Sequence, residues 1–409
     1  MNGHTIDFCE IIKSVIHPDT ECGLNNNIDW SHMVRLAKEH NLFPIFLEGA
    51  VNYQSYIARS EYEREMKQAL GIVAGQVKHT NAFLRLYVSF LEVGIHPIVM
   101  KGLVCRELYG RLNDHRPSGD EDILIHPSEY QKAQEVLVNN GYVQEIESAT
   151  DAQLEYLQEI SFFHPKYKLH IELHLNPMGR MSDSRSRMTD CFRNVFENYR
   201  DIEINGVLIR TMSHQEHLLF LILHAFKHFT GGGFGIRQIL DILLYQEKYG
   251  KEIDIEELRN VLQEFRADVF WSDLIHIGNM YFGFDLTTWQ ETFSSQELLE
   301  DVICSGVFGD KTQAGEIAAR TTMRANANYL KNEKSNSLIM LWKSIFPSKD
   351  YMLPYSPYLK AKPWLLPIAW IRRWGRFIKG NKQHKGNLIV DTMKISQRRM
   401  KLLKKYDLV

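Results

Sequence analysis

The sequence lacks most of the features that would settle its class at once. Its 409 residues contain no apolar run near the ~20 residues needed to cross a bilayer. The nearest stretch, WLLPIAWI at 364–371, is bounded or interrupted by two prolines and two arginines. The opening residues, MNGHTIDFCEIIKSVI, show no basic region leading into an apolar stretch and a small-residue cleavage site, so no signal peptide is expected. Cysteine is sparse: Cys9, Cys22, Cys105, Cys191 and Cys304 stand far apart, which argues against a disulfide framework or a zinc ribbon and fits a reduced, cytoplasmic setting. Low-complexity tracts and internal repeats are missing as well. The net charge of −2 excludes no partner.

That small total hides an uneven distribution. From residue 372 to the end there are twelve Lys/Arg and two Asp/Glu, about +10, so the remainder carries about −12. A basic tail follows an acidic body. Hydrophobic spacing divides the chain further. Residues 1–93 read as a helical region, ending in a long pattern that stops at Gly94. Residues 94–211 read as an α/β core. In it, IHPIVM forms a strand that ends at Lys101-Gly102, and LVCRELYG forms a helix. DEDILIH is a second strand, PSEYQKAQEVLVNNGY a helix opened by Pro127 and closed by Gly141, and SFFHPKYKLHIELHL a hairpin. A less distinct helix is expected near 151–160. Residues 212–346 turn helical again, with Ser213 and Glu216 forming a capping box. Residues 347–409 hold a proline- and aromatic-rich segment and the basic tail.

Three short stretches carry chemistry. In HRPSGDEDILI, Asp120 and Asp122 alternate along a strand, which puts them on one face ~6.6–6.8 Å apart. Two carboxylates so close repel unless a cation lies between them, and two Mg2+ ions ~3.5–4 Å apart require this kind of bridging oxygen donor. A bland reading stands beside this one: Asp120 turns the loop and Asp122 is a solvated strand residue. In KLHIELHL, Leu169, Ile171 and Leu173 alternate with His170, Glu172 and His174, so a third carboxylate shares a face with two imidazoles. In VMKGL, a strand runs through Lys101-Gly102 into a helix, an arrangement that aims backbone N–H groups and a lysine at a phosphate.

In order and spacing, IHPIVMKGLVCRELYG, RPSGDEDILIHPSEYQKAQEVLVNNGYV and LHIELH resemble the nucleotidyltransferase superfamily of DNA-polymerase-beta type. More narrowly they resemble the bacterial family called uncharacterised nucleotidyltransferases. The likeness extends to the histidine-rich helix with Arg237 and Asp241 after it, and to IFPSKDYMLPY and KPWLLPIAWIRR. It implies an α+β fold, with a small mixed β-sheet flanked by helices and with helical regions on both sides of it in the chain. By position it implies that Asp120, Asp122 and Glu172 bind two Mg2+ (or Mn2+) ions and that Glu172 helps activate the attacking hydroxyl. Lys101, Gly102, Arg116, Lys227 and Arg237 would contact the NTP, and His174, His224 and Asp241 would line the cleft. The implied reaction moves an NMP group to an acceptor hydroxyl or phosphate and releases pyrophosphate. The acceptor could be a small molecule, a protein side chain or an RNA end.

The sequence departs from the superfamily pattern at three positions. Leu103 stands where a second small residue, often serine, is usual. Glu172 replaces the commoner aspartate. Glu121 stands where an apolar residue would face the core, so this end of the strand lies near solvent or Glu121 pairs with a cation.

Other features have two readings. His217, His224 and His228 share one helical stripe and could hold zinc, or simply line the core or cleft. GGGFG at 231–235 follows a helix and lacks Lys-Ser/Thr, so a turn fits better than a phosphate loop. In the tail, Trp364, Trp370, Trp374 and Phe377 interleave with Arg372, Arg373, Arg376 and Lys379; such a segment packs on the body, or touches an anionic membrane or RNA. Two other functions therefore stand beside the transferase: a non-catalytic nucleotide-binding module, and an RNA-binding factor that uses its tail.

Overall fold

This computed structural model describes residues 3–20, 23–24, 28–145, 159–178, 183–231, 233–289, 294–306, 346–352, 356–359, 362–381 and 388–409. Most of the helix expected near 151–160 lies outside the described residues. Contacts divide the chain into two units, residues 1–226 with 235–299, and 227–234 with 300–409.

The first unit opens with α1 (Gly3–Ile16), α2 (Trp30–Glu39) and α3 (Phe43–Ala50), joined through stacked Phe8 and Phe46. Next comes α4 (Arg59–Glu92), whose 34 residues end at Gly94 with φ +77°, a left-handed stop that glycine tolerates. A seven-stranded mixed sheet follows in the order β3-β4-β5-β2-β1-β7-β6. Its strands are β1 (Ile98–Val99), β2 (Asp120–Leu124), β3 (Val143–Gln144), β4 (Glu159–His164), β5 (Leu169–His174), β6 (Tyr199–Ile204) and β7 (Val207–Met212). Between β1 and β2 lie α5 (Leu103–Arg106) and a 3-10 stretch over Glu107–His115; α6 (Tyr130–Asn139) lies between β2 and β3.

Alternation decides which face of the sheet is buried. Val99, Ile123, Ile125, Leu169, Ile171 and Leu173 form one core with Phe83, Leu86, Tyr87 and Phe90 of α4. Asp122, Glu172 and His174 therefore point to the opposite face. The β4–β5 hairpin and strand β2 form where the alternation places them, and the fold is α+β with a mixed sheet, as expected. The β6–β7 hairpin is an addition that the motif-centred reading passed over. Asn205-Gly206 marks it, with φ +49° and +78°, a pair suited to a two-residue turn between strands rich in branched residues. Thr211 of β7 then pairs in parallel with Val99 of β1.

The helices α7 (Asp183–Asp190), α8 (His214–Gly231), α9 (Ile236–Tyr249), α10 (Ile255–Glu264), α11 (Asp268–Tyr281) and α12 (Ser295–Ser305) follow in the chain. Ser213 caps α8 as its sequence predicts: the Glu216 N–H donates to Ser213 Oγ at 3.3 Å, and Ser213 Oγ donates to Glu216 Oε2 at 3.1 Å. No described helix is long and apolar enough to cross a membrane.

In the second unit, α13 (Lys349–Met352) and α14 (Leu366–Asn381) contribute to a small core of Met352, Leu359 and Ala369, and α15 (Leu388–Lys405) follows. Trp370 and Trp374 pack edge-on against Phe346, and Trp370 Nε1 donates to the Pro347 carbonyl at 2.9 Å. Arg399, only 4% exposed, donates to Asp301 Oδ2 at 2.6 Å and to the Phe229 carbonyl. Part of the basic tail is thus an internal strut. Gly233, in the GGGFG turn, has φ +99° and leaves no room for a Cβ beside Ser305.

Candidate functional site

The site is built on the two central parallel strands. The register pairs Asp120 with His170 and Asp122 with Glu172, so the acids that alternate along each strand also stand side by side between strands. Asp122 and His174 are buried, whereas Asp120 and Glu172 are half-buried. Ligand atoms of Asp122, Glu172 and His174 all lie within 4.8 Å of one another, and they are the only such group of three among the described residues. Asp120 lies outside this tight group, although its charge is felt at both Lys101 and Glu172. The histidine stripe His217, His224 and His228 forms no group of this kind among the described residues.

Cations and imidazoles crowd the acids. Lys101 Nζ lies 2.9 Å from Asp122 Oδ1 and donates to His224 Nε2 at 3.1 Å. His174 Nε2 lies 3.1 Å from the same Asp122 Oδ1 and 3.7 Å from Glu172 Oε2. Electrostatics follow from this packing. Burial raises the Glu172 carboxyl, the hydrogen bond from His174 opposes that, and the Asp122 charge reinforces it, leaving Glu172 at about 7. Burial would lower the His174 imidazole, but hydrogen bonds to Asp122 and Glu172 outweigh it and raise it to about 9. Asp122 is itself held well below the carboxylate range: the charge of Lys101 and the His174 hydrogen bond overcome its burial.

A divalent cation fits the carboxylates. Asp122 and Glu172 offer hard oxygens, and a cation would relieve the strain that lifts Glu172. His174 fits less well as a ligand. Its Nδ1 is buried with no hydrogen-bond partner among the described residues, whereas a metal-bound imidazole normally donates its second N–H to an acceptor. His174 therefore positions Asp122 by donating to it, with Glu172 Oε2 3.7 Å away.

The loop after β1 differs from its expected role. Gly102 has φ +52°, and a Cβ there would lie 2.0 Å from Glu121 Oε2, so glycine is needed twice over. The Leu103 N–H, expected to point at a phosphate, instead donates to that Glu121 oxygen at 2.7 Å. The helix behind it, α5, has only four residues. Glu121 is fully buried and bound to Arg106 Nη1 at 2.6 Å, so of its two expected placements it takes the cation-paired one. Arg106 Nη2 donates to Thr80 Oγ1 at 3.3 Å, and the N–H of Ser118, beside Glu121, donates to Gln76 Oε1 at 2.9 Å. Sequence reasoning missed Arg106, Ser118 and this link to α4. An acid inside an apolar strand was the available signal that a buried cation had to exist.

The other candidates separate. Arg116 is clasped by Asp241, with Nε donating at 2.8 Å and Nη2 at 2.5 Å, and Tyr109 donates to the same carboxylate at 2.9 Å. Arg116 and Asp241 therefore brace the loop ahead of β2, and the buried Nη1 of Arg116 has no partner among the described residues. Arg237 donates to the Pro117 carbonyl, and its Nε has no partner among the described residues. Burial, then repulsion from Arg116, lowers its guanidinium. Among the described residues it forms no ion pair, although the charges of Asp241 and Asp120 reach it. Lys227 lies one turn beyond His224 on α8 and belongs to the second unit. His217 is buried under β1 with Nε2 2.7 Å from the Met100 carbonyl.

Residues 26–283 match the family model described as uncharacterised nucleotidyltransferase. No match was found among curated proteins or among solved structures.

Proposed function

The chain belongs to the uncharacterised nucleotidyltransferase family, and from that premise we propose that it transfers an NMP group from an NTP to an acceptor hydroxyl or phosphate, releasing pyrophosphate. The observation that carries this reading is the side-by-side register of Asp122 and Glu172 on the sheet face opposite the apolar core. Divalent ions, Mg2+ or Mn2+, would be held by Asp122 and Glu172 with help from Asp120, and would offset charge on the attacking and leaving oxygens. Glu172, half-buried beside Asp122, is suited to help take the proton of an acceptor hydroxyl. Arg237, which forms no ion pair among the described residues, is suited to a phosphate oxygen. His174 and the Glu121–Arg106 pair fix the strands and the glycine turn that present these groups.

Purified protein incubated with each α-labelled NTP, Mg2+ or Mn2+ and cell extract is expected to transfer label and release pyrophosphate. The double change Asp120→Asn and Asp122→Asn should abolish both, a loss of at least about 100-fold for removing charge stabilisation at the reacting centre. Nucleotide binding without release in the unaltered protein would instead indicate a non-catalytic module. The label's fate identifies the acceptor class: small molecule, protein side chain or RNA end.

For the tail, one observation favours a peripheral membrane contact. Trp364, Ile368 and Ile371 are 69%, 45% and 62% exposed at helical spacing, and exposed Arg372 stands beside them.

A further inference from the structure

Asp122 Oδ1 accepts two donors at once, Lys101 Nζ at 2.9 Å and His174 Nε2 at 3.1 Å. A carboxylate oxygen has two lone pairs, and both are engaged here. A divalent ion at Oδ1 would have to displace one of these two donors, which leaves Oδ2 as the oxygen open to an ion. The ammonium group that holds Oδ1 is itself anchored, since it donates to His224 Nε2 at 3.1 Å. Withdrawing Lys101 would leave a buried carboxylate oxygen with one donor fewer and an ammonium without its counter-ion.

We propose that Lys101 is a built-in cation at Asp122 that stands in for one of the two ions, so that the site takes a single divalent ion together with its nucleotide. This rests on the nucleotidyl-transfer reading of the same cluster and replaces its two-ion count. Lys101 then acts on the acids rather than on the triphosphate, and the second positive charge beside Asp122 is permanent and monovalent.

The test is a count of bound ions. The protein is titrated with Mn2+ in the presence of each α,β-methylene NTP analogue in turn, and free Mn2+ is read by electron paramagnetic resonance. The expected result is one Mn2+ per bound analogue in the unaltered protein and in Lys101→Arg, and two in Lys101→Met. Two ions in the unaltered protein overturn the inference and leave the transferase reading standing. One ion in both the unaltered protein and Lys101→Met also overturns it, since Lys101 would then not be what limits the count. If Lys101→Met fails to show a cooperative melt, the unaltered protein still decides: one ion supports the inference and two sink it. Binding of neither analogue nor Mn2+ removes the transferase reading and this inference together.

Discussion

Glu121 sits between two acids that face the other side of the sheet, yet it points into the apolar core side with no exposure at all. Its charge is met by Arg106, and its second oxygen caps the Leu103 N–H. Removing one partner of a buried ion pair typically costs about 3–5 kcal/mol, because the survivor remains charged in the core. Arg106→Ala is therefore expected to lose about that much in chemical denaturation. Replacing both partners, Arg106→Met with Glu121→Leu, should recover most of it and stay about 1–3 kcal/mol below the unaltered protein, the cost of an unsatisfied Leu103 N–H. A double variant as unstable as Arg106→Ala would show that the pair is not the source of the effect. At this scale the sequence is half legible. The alternation of Asp120, Glu121 and Asp122 reveals which residue turns inward. It does not reveal the partner, because Arg106 arrives through a four-residue helix whose direction is set by the positive φ of Gly102. Arg116 shows the same limit: its place ahead of the acids is visible, whereas its clasp by Asp241 is 125 residues distant.

Among the elements, β5 was the most readable, since strict apolar–polar alternation over six residues leaves one register that buries Leu169, Ile171 and Leu173. The pairing of β7 with β1 was not, because it joins segments more than a hundred residues apart and has no local signal. Helix α8 ties these elements together through His217, whose ring sits against the Met100 carbonyl. Burial, with Arg200 nearby, pushes its imidazole down to about 3 from 6.5, against the raising effect of that hydrogen bond. In the unfolded chain the same group takes a proton near 6.5. Between those two values the unfolded state binds more protons, so stability falls as pH falls through the window, by about 1.4 kcal/mol per pH unit for one group. His217→Gln, which cannot titrate, should flatten the slope of unfolding free energy between pH 6 and 4 by roughly that amount. An unchanged slope would mean that His217 is not kept neutral.

For the molecule as a whole, a near-zero net charge conceals a basic carboxy-terminal segment whose side chains are partly buried and partly exposed. Arg399 is sunk against Asp301, while Trp364, Ile368 and Ile371 present an apolar stripe beside exposed Arg372. The sequence showed the interleaving of aromatic and basic residues but not which of them pack. Trp370 and Trp374 turn to Phe346 because that side of the helix is covered. The protein is expected to co-sediment with vesicles containing phosphatidylserine and not with neutral ones, and to lose this when Trp364, Ile368 and Ile371 all become serine. Each surface Lys/Arg should add about 1 kcal/mol, with the attraction fading as salt rises. Sedimentation that does not depend on the stripe would exclude this contact.

Strand β5 is hydrogen-bonded along both of its edges, to β4 and to β2. Sliding it by a single residue would break two ladders together, rotate Glu172 into the oily side and bring Ile171 or Leu173 out in its place. No half-shifted arrangement is available, so the acidic centre behaves as a switch with one setting: it is either assembled at full depth or absent along with the sheet that carries it.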